Sequence, residues 1–261
     1  MLSVRRTRVL NALVDEHVLT TLPVSSSVLA KRYLPGVSSA TIRNELLGLE
    51  NLGLAFSPHT SAGRIPTNQG YRVFVNHLLL SPATLMYANP VIEADRPLDT
   101  INDPLYDDSF EKALSPQALD GLSIDRHSYI RRLLELLSKT TGLLSLYWDR
   151  EDSFGLIVRG LSRLLAQPEF SESSRLLPLM SLIEDQDELV QMMDSSLVAA
   201  DLSVLIGLEP TGILANYTLL SQRSEGHSAI FGLLGPTRME YRRALLALDS
   251  MVRLNLTYTR V

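Results

Sequence analysis

The chain contains no cysteine, and that one absence removes disulfide frameworks, thiolate metal sites and cysteine nucleophiles together. Aromatic residues are sparse, 6% with a single Trp. No apolar run approaches the ~18 residues of a membrane span, and Met1-Leu2-Ser3-Val4-Arg5-Arg6 is not followed by the apolar core of an export signal. These absences predict a cytoplasmic protein with no membrane association. The patterns of common catalysts are also missing. The five histidines are scattered, and no phosphate-cradling glycine loop or Gly-x-Ser-x-Gly elbow occurs. An enzyme is therefore not expected, and neither a metal nor a cofactor is implied.

What is present is a core-forming composition, 45% hydrophobic over 261 residues, with an uneven charge. Residues 1–80 carry eight Lys/Arg (Arg5, Arg6, Arg8, Lys31, Arg32, Arg43, Arg64, Arg72) against four acids (Asp15, Glu16, Glu45, Glu50). That segment is positive although the whole chain has a formal charge of -5. A basic module joined to an acidic one fits a nucleic-acid reader with a separate regulatory body. It also fits an ordinary solvated surface.

Periodicity divides the first eighty residues. Leu10, Leu13, Val14 and Val18 form a helical stripe from Ser3 to Val18. Ser25–Ser27 can cap a short second helix through Tyr33. A third starts at Ser38 or Ser39 and runs to Leu52, with Ile42, Leu46 and Leu49 inward and Gly53 as its stop. Leu54–Ser57 and Arg64–Pro66 read as two short strands around a turn-rich loop, and Thr67 can cap a further helix through Leu79. Residues 81–126, with five prolines and nine acids against three basic residues, read as a linker. From Ser128 the pattern is a helix, strands at 142–148 and 154–158, helices near 161–166, 173–184 and 187–198, strands at 202–207, 216–222 and 228–234, and a last helix from about Thr237 to Leu256. The predicted class is mainly α with an α+β part whose sheet is antiparallel.

Three helices followed by a strand pair fit a winged helix-turn-helix, whose third helix enters the major groove while neighbouring groups hold phosphates. With Ile42, Leu46 and Leu49 inward, Ser39, Thr41, Arg43, Asn44 and Leu47 occupy the remaining faces of that helix. Arg43 can bond guanine in a bidentate way and Asn44 adenine. Ser38 and Ser39, with the free amides of a helix start, suit a phosphate. His59 and Arg64 are placed to reach an adjacent backbone or minor groove. On spacing alone Arg43 is also readable as a solvated helix charge, and His59 as an ordinary loop histidine.

The run from Pro23-Val24 to Leu79 closely resembles the heat-inducible transcription repressor family, HrcA. The resemblance lies above all in Val37–Glu45 (VSSATIRNE), Ser57–Thr67 (SPHTSAGRIPT) and Gly70-Tyr71-Arg72. It resumes at Gly160, Leu164-Leu165, Pro168-Glu169-Phe170, Ile206-Gly207 with Glu209, and Gly232–Tyr241 (GLLGPTRMEY). The resemblance implies three parts: a winged helix-turn-helix in 1–80, a linker over 81–126 and a GAF-like regulatory and dimerisation domain over 127–261. It implies a homodimer on double-stranded DNA, at an inverted-repeat operator of the CIRCE type ahead of chaperone operons. Repression would be released by heat, with the GroE chaperonin as a partner. The candidate DNA-binding residues are then Ser26, Ser38, Ser39, Thr41, Arg43, Asn44, His59, Thr60 and Arg64. Three departures stand out. Ser25-Ser26-Ser27 replaces Gly-Ser and a basic residue, and Glu45 replaces Asp. The chain also passes from Leu143–Trp148 to Leu156–Gly160 where relatives carry further strands and an inserted dimerisation segment. A substitute interface is then sought at Leu133/Leu137 or along the last helix at Leu245, Leu248, Val252 and Leu256. A different class of reading keeps the winged helix but makes the GAF-like half a small-molecule sensor indifferent to heat.

Overall fold

The computed structural model describes residues 2–59, 62–80, 125–171, 173–207, 215–224 and 228–259, which group into two compact units. The first unit is built on helices α1 (Val4–Thr20), α2 (Ser26–Arg32), α3 (Ser39–Asn51) and α4 (Asn68–Leu80), with a short strand pair β1 (Ala55–Phe56) and β2 (Ile65–Pro66). Its core is the meeting of their apolar stripes: Val9, Leu10 and Leu13 of α1, Leu29 of α2, Ile42, Leu46 and Leu49 of α3, and Tyr71, Phe74 and Val75 of α4. Ser3, Ser25 and Ser38 cap α1, α2 and α3 through their hydroxyls, each accepting a backbone N–H of the first turn.

The second unit is a five-stranded antiparallel sheet in the order β4-β3-β7-β6-β5, formed by β3 (Leu144–Asp149), β4 (Ile157–Arg159), β5 (Leu202–Ile206), β6 (Tyr217–Arg223) and β7 (Ala229–Pro236). Helices cover both faces. Leu144 and Leu146 of β3, Leu219 of β6 and Ile230 and Leu234 of β7 share a core with helices α6 (Leu161–Leu165), α7 (Ser173–Glu184) and α8 (Gln186–Ser195), through Leu164, Leu179, Leu182, Leu189 and Met193. The alternate residues face α5 (Arg126–Thr141) and α9 (Tyr241–Thr259): Ser145 Oγ donates to Leu134 O at 2.7 Å and Thr218 Oγ1 lies 3.1 Å from Tyr241 Oη. A strand covered on both sides has no polar face to show, which is why β7 is buried along its whole length.

Several boundaries differ from the sequence reading. Helix α5 begins at Arg126, not Ser128, because Asp125 is its cap and accepts from Ser128 N at 3.0 Å. The expected linker therefore ends before Arg126; its residues 81–124 lie outside the described residues. Helix α8 stops at Ser195 and α9 starts at Tyr241, four residues later than expected, because β7 stays paired with β6 as far as Pro236 opposite Tyr217. The connection between β3 and β4 is a direct hairpin, with Ser145 opposite Arg159 and Tyr147 opposite Ile157. The substitute interface sought at Leu133, Leu137, Leu245, Leu248 and Val252 is not available: all five are at most 5% exposed, consumed by the core of the unit itself. The side chain of Leu256 lies outside the described residues.

Candidate nucleic-acid interface

Helix α3 owes its orientation to three leucine-type contacts. Ile42, Leu46 and Leu49 are 0%, 4% and 0% exposed, which turns Ala40, Arg43, Asn44 and Leu47 outward on the opposite side. Arg43 and Asn44 are exposed and make no hydrogen bond or ion pair among the described residues. Thr41 stands beside them, its Oγ1 2.8 Å from the Oγ of Ser38, which also accepts Thr41 N at 3.1 Å. Ser39, the first helical residue, meets Ser26 of α2, with the two hydroxyl oxygens 2.9 Å apart. The starts of α2 and α3 thus form one hydroxyl-rich corner that contains Ser26, Ser38 and Ser39.

The β1–β2 hairpin is extended by a third segment. Val24 and Arg64 exchange backbone hydrogen bonds of 2.9 and 2.8 Å, which joins the residues before α2 to the strand pair. This closeness requires Gly63, since a Cβ there would lie 2.3 Å from Val24 O. The loop is closed from within by Ser57 Oγ, which donates to His59 O at 2.6 Å, and by Ala62 N, which donates to the same carbonyl at 2.9 Å. His59 is exposed at this loop, while Thr60 lies outside the described residues. Arg64 is 18% exposed and points to α3, its Nε and Nη2 lying 3.1 and 2.8 Å from Glu50 Oε2.

Long-range ion pairs, invisible to periodicity, then decide which cations are left over. Arg6 of α1 pairs with Glu45 at 3.0 Å. Arg32 grips both oxygens of Glu16 at 2.7 and 2.9 Å, and Tyr33 Oη donates to the same carboxylate at 2.8 Å. Burial, followed by that bond to Glu16, pushes the Tyr33 phenol up to about 12. With these acids occupied, Arg5, Arg8, Lys31 and Arg43 are exposed basic side chains with no partner among the described residues.

The second unit has a polar cluster of a different kind. Asp149, 5% exposed, accepts from Arg126 Nη2 at 2.8 Å, Tyr147 Oη at 3.3 Å, Glu151 N at 3.0 Å and Ser228 Oγ. Burial raises its pKa, but the hydrogen bonds from Ser228 and Glu151 N and the charge of Arg126 outweigh that and hold the carboxyl below its usual range. The cluster, extended by Asp152 at 3.7 Å from Arg126 Nε, ties the start of α5 to the end of β3. Among the described residues no group of His, Asp or Glu is gathered as a metal would need, and no helix is long and apolar enough to cross a membrane.

A family model described as the HrcA protein C-terminal domain matches residues 95–245. Curated relatives named heat-inducible transcription repressor HrcA align along almost the whole chain. The one from Moorella thermoacetica is 27% identical and the alignment covers 94% of each protein; that from Desulforamulus reducens is 28% identical over 98% of this chain and 96% of its own. Their alignments run to 325 and 334 positions against 261 residues here, so both relatives hold segments with no counterpart in this chain. A crystal structure described as a hypothetical protein shares the fold, with a TM-score of 0.74 at 18% identity over 100% of this chain and 99% of the other. With a family model matched over more than half of its residues and these relatives aligned across nearly all of it, the chain belongs to the HrcA family.

Proposed function

We propose that the chain is a DNA-binding transcription repressor of heat-shock operons, acting as a homodimer on an inverted-repeat operator of the CIRCE type. In this reading residues 1–80 are a winged helix-turn-helix, in which α2 and α3 are the paired helices, α3 reads the major groove and the β1–β2 hairpin is the wing. Residues 127–261 are the GAF-like regulatory half. The observation that carries the reading is the outward face of α3, where Arg43 and Asn44 stand exposed without a partner among the described residues. In the free chain both groups are open to solvent. Here they match the donor and acceptor edges of guanine and adenine.

Around that face, the Ser26, Ser38 and Ser39 corner and Thr41 supply short hydroxyl donors for a phosphate near the helix start, His59 of the wing loop reaches the neighbouring backbone, and Thr60 is assigned to the same contact from the sequence alone. Arg5, Arg8 and Lys31 add a salt-sensitive attraction for DNA of any sequence. The names of the relatives support heat as the signal. The GroE chaperonin is the partner that the family resemblance assigns.

A fluorescence-anisotropy titration tests this. The chain is expected to bind a duplex carrying the inverted repeat from ahead of a chaperone operon far more tightly than a scrambled duplex, with two chains per repeat. Affinity should fall with a log–log salt slope of about -0.9 per neutralised phosphate. Added chaperonin raises the active fraction, and brief heating lowers it. Equal affinity for both duplexes would defeat the reading.

A further inference from the structure

Taken alone, α3 is a poor helix to bring against a polyanion. It carries Arg43 but also Glu45 and Glu50, so its own side chains sum to a negative charge, and no basic residue lies in its last turn. Glu50 sits near the helix C-terminus, where the backbone carbonyls already concentrate negative potential. We propose that Arg6 and Arg64 are positioning residues for DNA binding, which cap the two carboxylates of α3 from neighbouring elements and so convert its charge from repelling to accepting a phosphate backbone. This inference rests on α3 being the DNA-reading helix.

The geometry of the first cap is specific. Arg6 Nε lies 3.0 Å from Glu45 Oε2, and the pair is partly shielded, with side chains 33% and 16% exposed. To reach Glu45 the guanidinium crosses α3 at Gly48, where a Cβ would lie 2.7 Å from Arg6 Cζ and Nη2 and 2.9 Å from Nε. A glycine inside a helix costs about 1 kcal/mol relative to alanine. At this position the missing side chain is the passage for Arg6. The second cap comes from the other side: Arg64, held by its backbone bonds to Val24, places both Nε and Nη2 on Glu50 Oε2 at 3.1 and 2.8 Å. It supplies, from the hairpin, the cation that the last turn of α3 lacks.

Two arginines converging on one helix from α1 and from the hairpin could also be plain structural ties. The two roles give opposite signs for one substitution. If capping matters, removing the carboxylate relieves a repulsion and frees an arginine, so Glu45→Gln strengthens DNA binding. If the pair only ties elements together, Glu45→Gln weakens it.

The test uses the full chain and glutamine substitutions, which keep hydrogen-bonding capacity while removing charge. Arg6→Gln, Glu45→Gln and the double variant are titrated against the inverted-repeat duplex and a scrambled duplex, with thermal melting recorded in parallel. Arg6→Gln is expected to weaken binding to both duplexes about tenfold, Glu45→Gln to strengthen it about threefold, and the double variant to match the unsubstituted chain rather than show the roughly threefold loss that independent charges would give. Gly48→Ala serves where Arg6→Gln fails to fold. It displaces the flexible end of Arg6 while favouring the helix, so affinity falls about threefold with the melting temperature unchanged or higher, and adding Glu45→Gln restores it. Glu45→Gln binding as weakly as Arg6→Gln, with the double variant no better, would overturn the proposal. The preference of the unsubstituted chain for the inverted repeat tests the functional reading separately, since the charge cycle is read on both duplexes. A chain that binds neither duplex overturns both.

Discussion

The two units treat their carboxylates in opposite ways. In the second, Asp149 is almost fully buried and receives four hydrogen bonds, so its charge is answered from inside. In the first, Glu45 and Glu50 each have one arginine and keep part of their surface in water, while Arg43 and Asn44 next to them have no partner among the described residues. A closed polar network specifies a fold, because any member left alone in a low-dielectric interior is costly. An open one leaves donors and acceptors to be answered by something else.

The contrast can be broken most forcefully at Asp149. Replacing it by Ala leaves Tyr147 and Ser228 without their acceptor and Arg126, which is partly exposed, with only Asp152 nearby, and should destabilise the second unit by about 2–3 kcal/mol. A thermal melt measures the loss. DNA affinity per folded chain at low temperature should be unchanged, and unaltered melting would mean that the network is not what holds β3 to α5.

Next in size is the opposite outcome at the open site. Arg43→Ala should cost about 1–3 kcal/mol of operator affinity and leave the melting curve in place, since the exposed side chain makes no hydrogen bond or ion pair among the described residues. A shifted melt would show Arg43 to be structural.

Alkaline pH sharpens the comparison further, because each unit holds a strongly perturbed phenol. Tyr33 in the first unit and Tyr147 in the second are both pushed up to about 12, each chiefly by burial. Since the folded pKa lies above the unfolded value near 10, each tyrosine contributes stability that is full below pH 10 and lost as pH rises toward about 12. Melting temperature should therefore decline across that window, and Tyr33→Phe should remove the part of the slope belonging to Tyr33. A flat profile in the variant and the parent alike would contradict the assignment.

The smallest effect is expected at Thr21. It caps the end of α1 at φ 61, a left-handed conformation that a β-branched residue adopts only at a cost. Thr21→Gly should stabilise the first unit by roughly 0.5–1 kcal/mol, read as a small rise in melting temperature with no change in DNA affinity.

What the sequence made legible was local. The inward set Ile42, Leu46 and Leu49, the cap at Ser38 and the stop at Gly53 follow from helical spacing and end chemistry, and α3 was read to within a residue from them. The antiparallel sheet followed from short apolar runs separated by turn residues. What stayed hidden was set by distant partners. Nothing near Arg64 shows that Glu50 would draw it back to α3, or near Arg6 that Gly48 would let it through to Glu45. The start of α9 is not legible locally for a similar reason: the extent of β7 depends on its pairing with Tyr217, nineteen positions earlier than Pro236. The absence of a side chain at Gly48 was the one local hint of the long-range pair.

The most direct test of the account is the sequence preference of a chain with Arg43→Ala and Asn44→Ala together. Binding to the inverted-repeat duplex should fall to the level of the scrambled duplex, while salt-dependent binding to DNA of any sequence persists through Arg5, Arg8 and Lys31. A double variant that still prefers the inverted repeat as strongly as the parent would show that α3 does not read it.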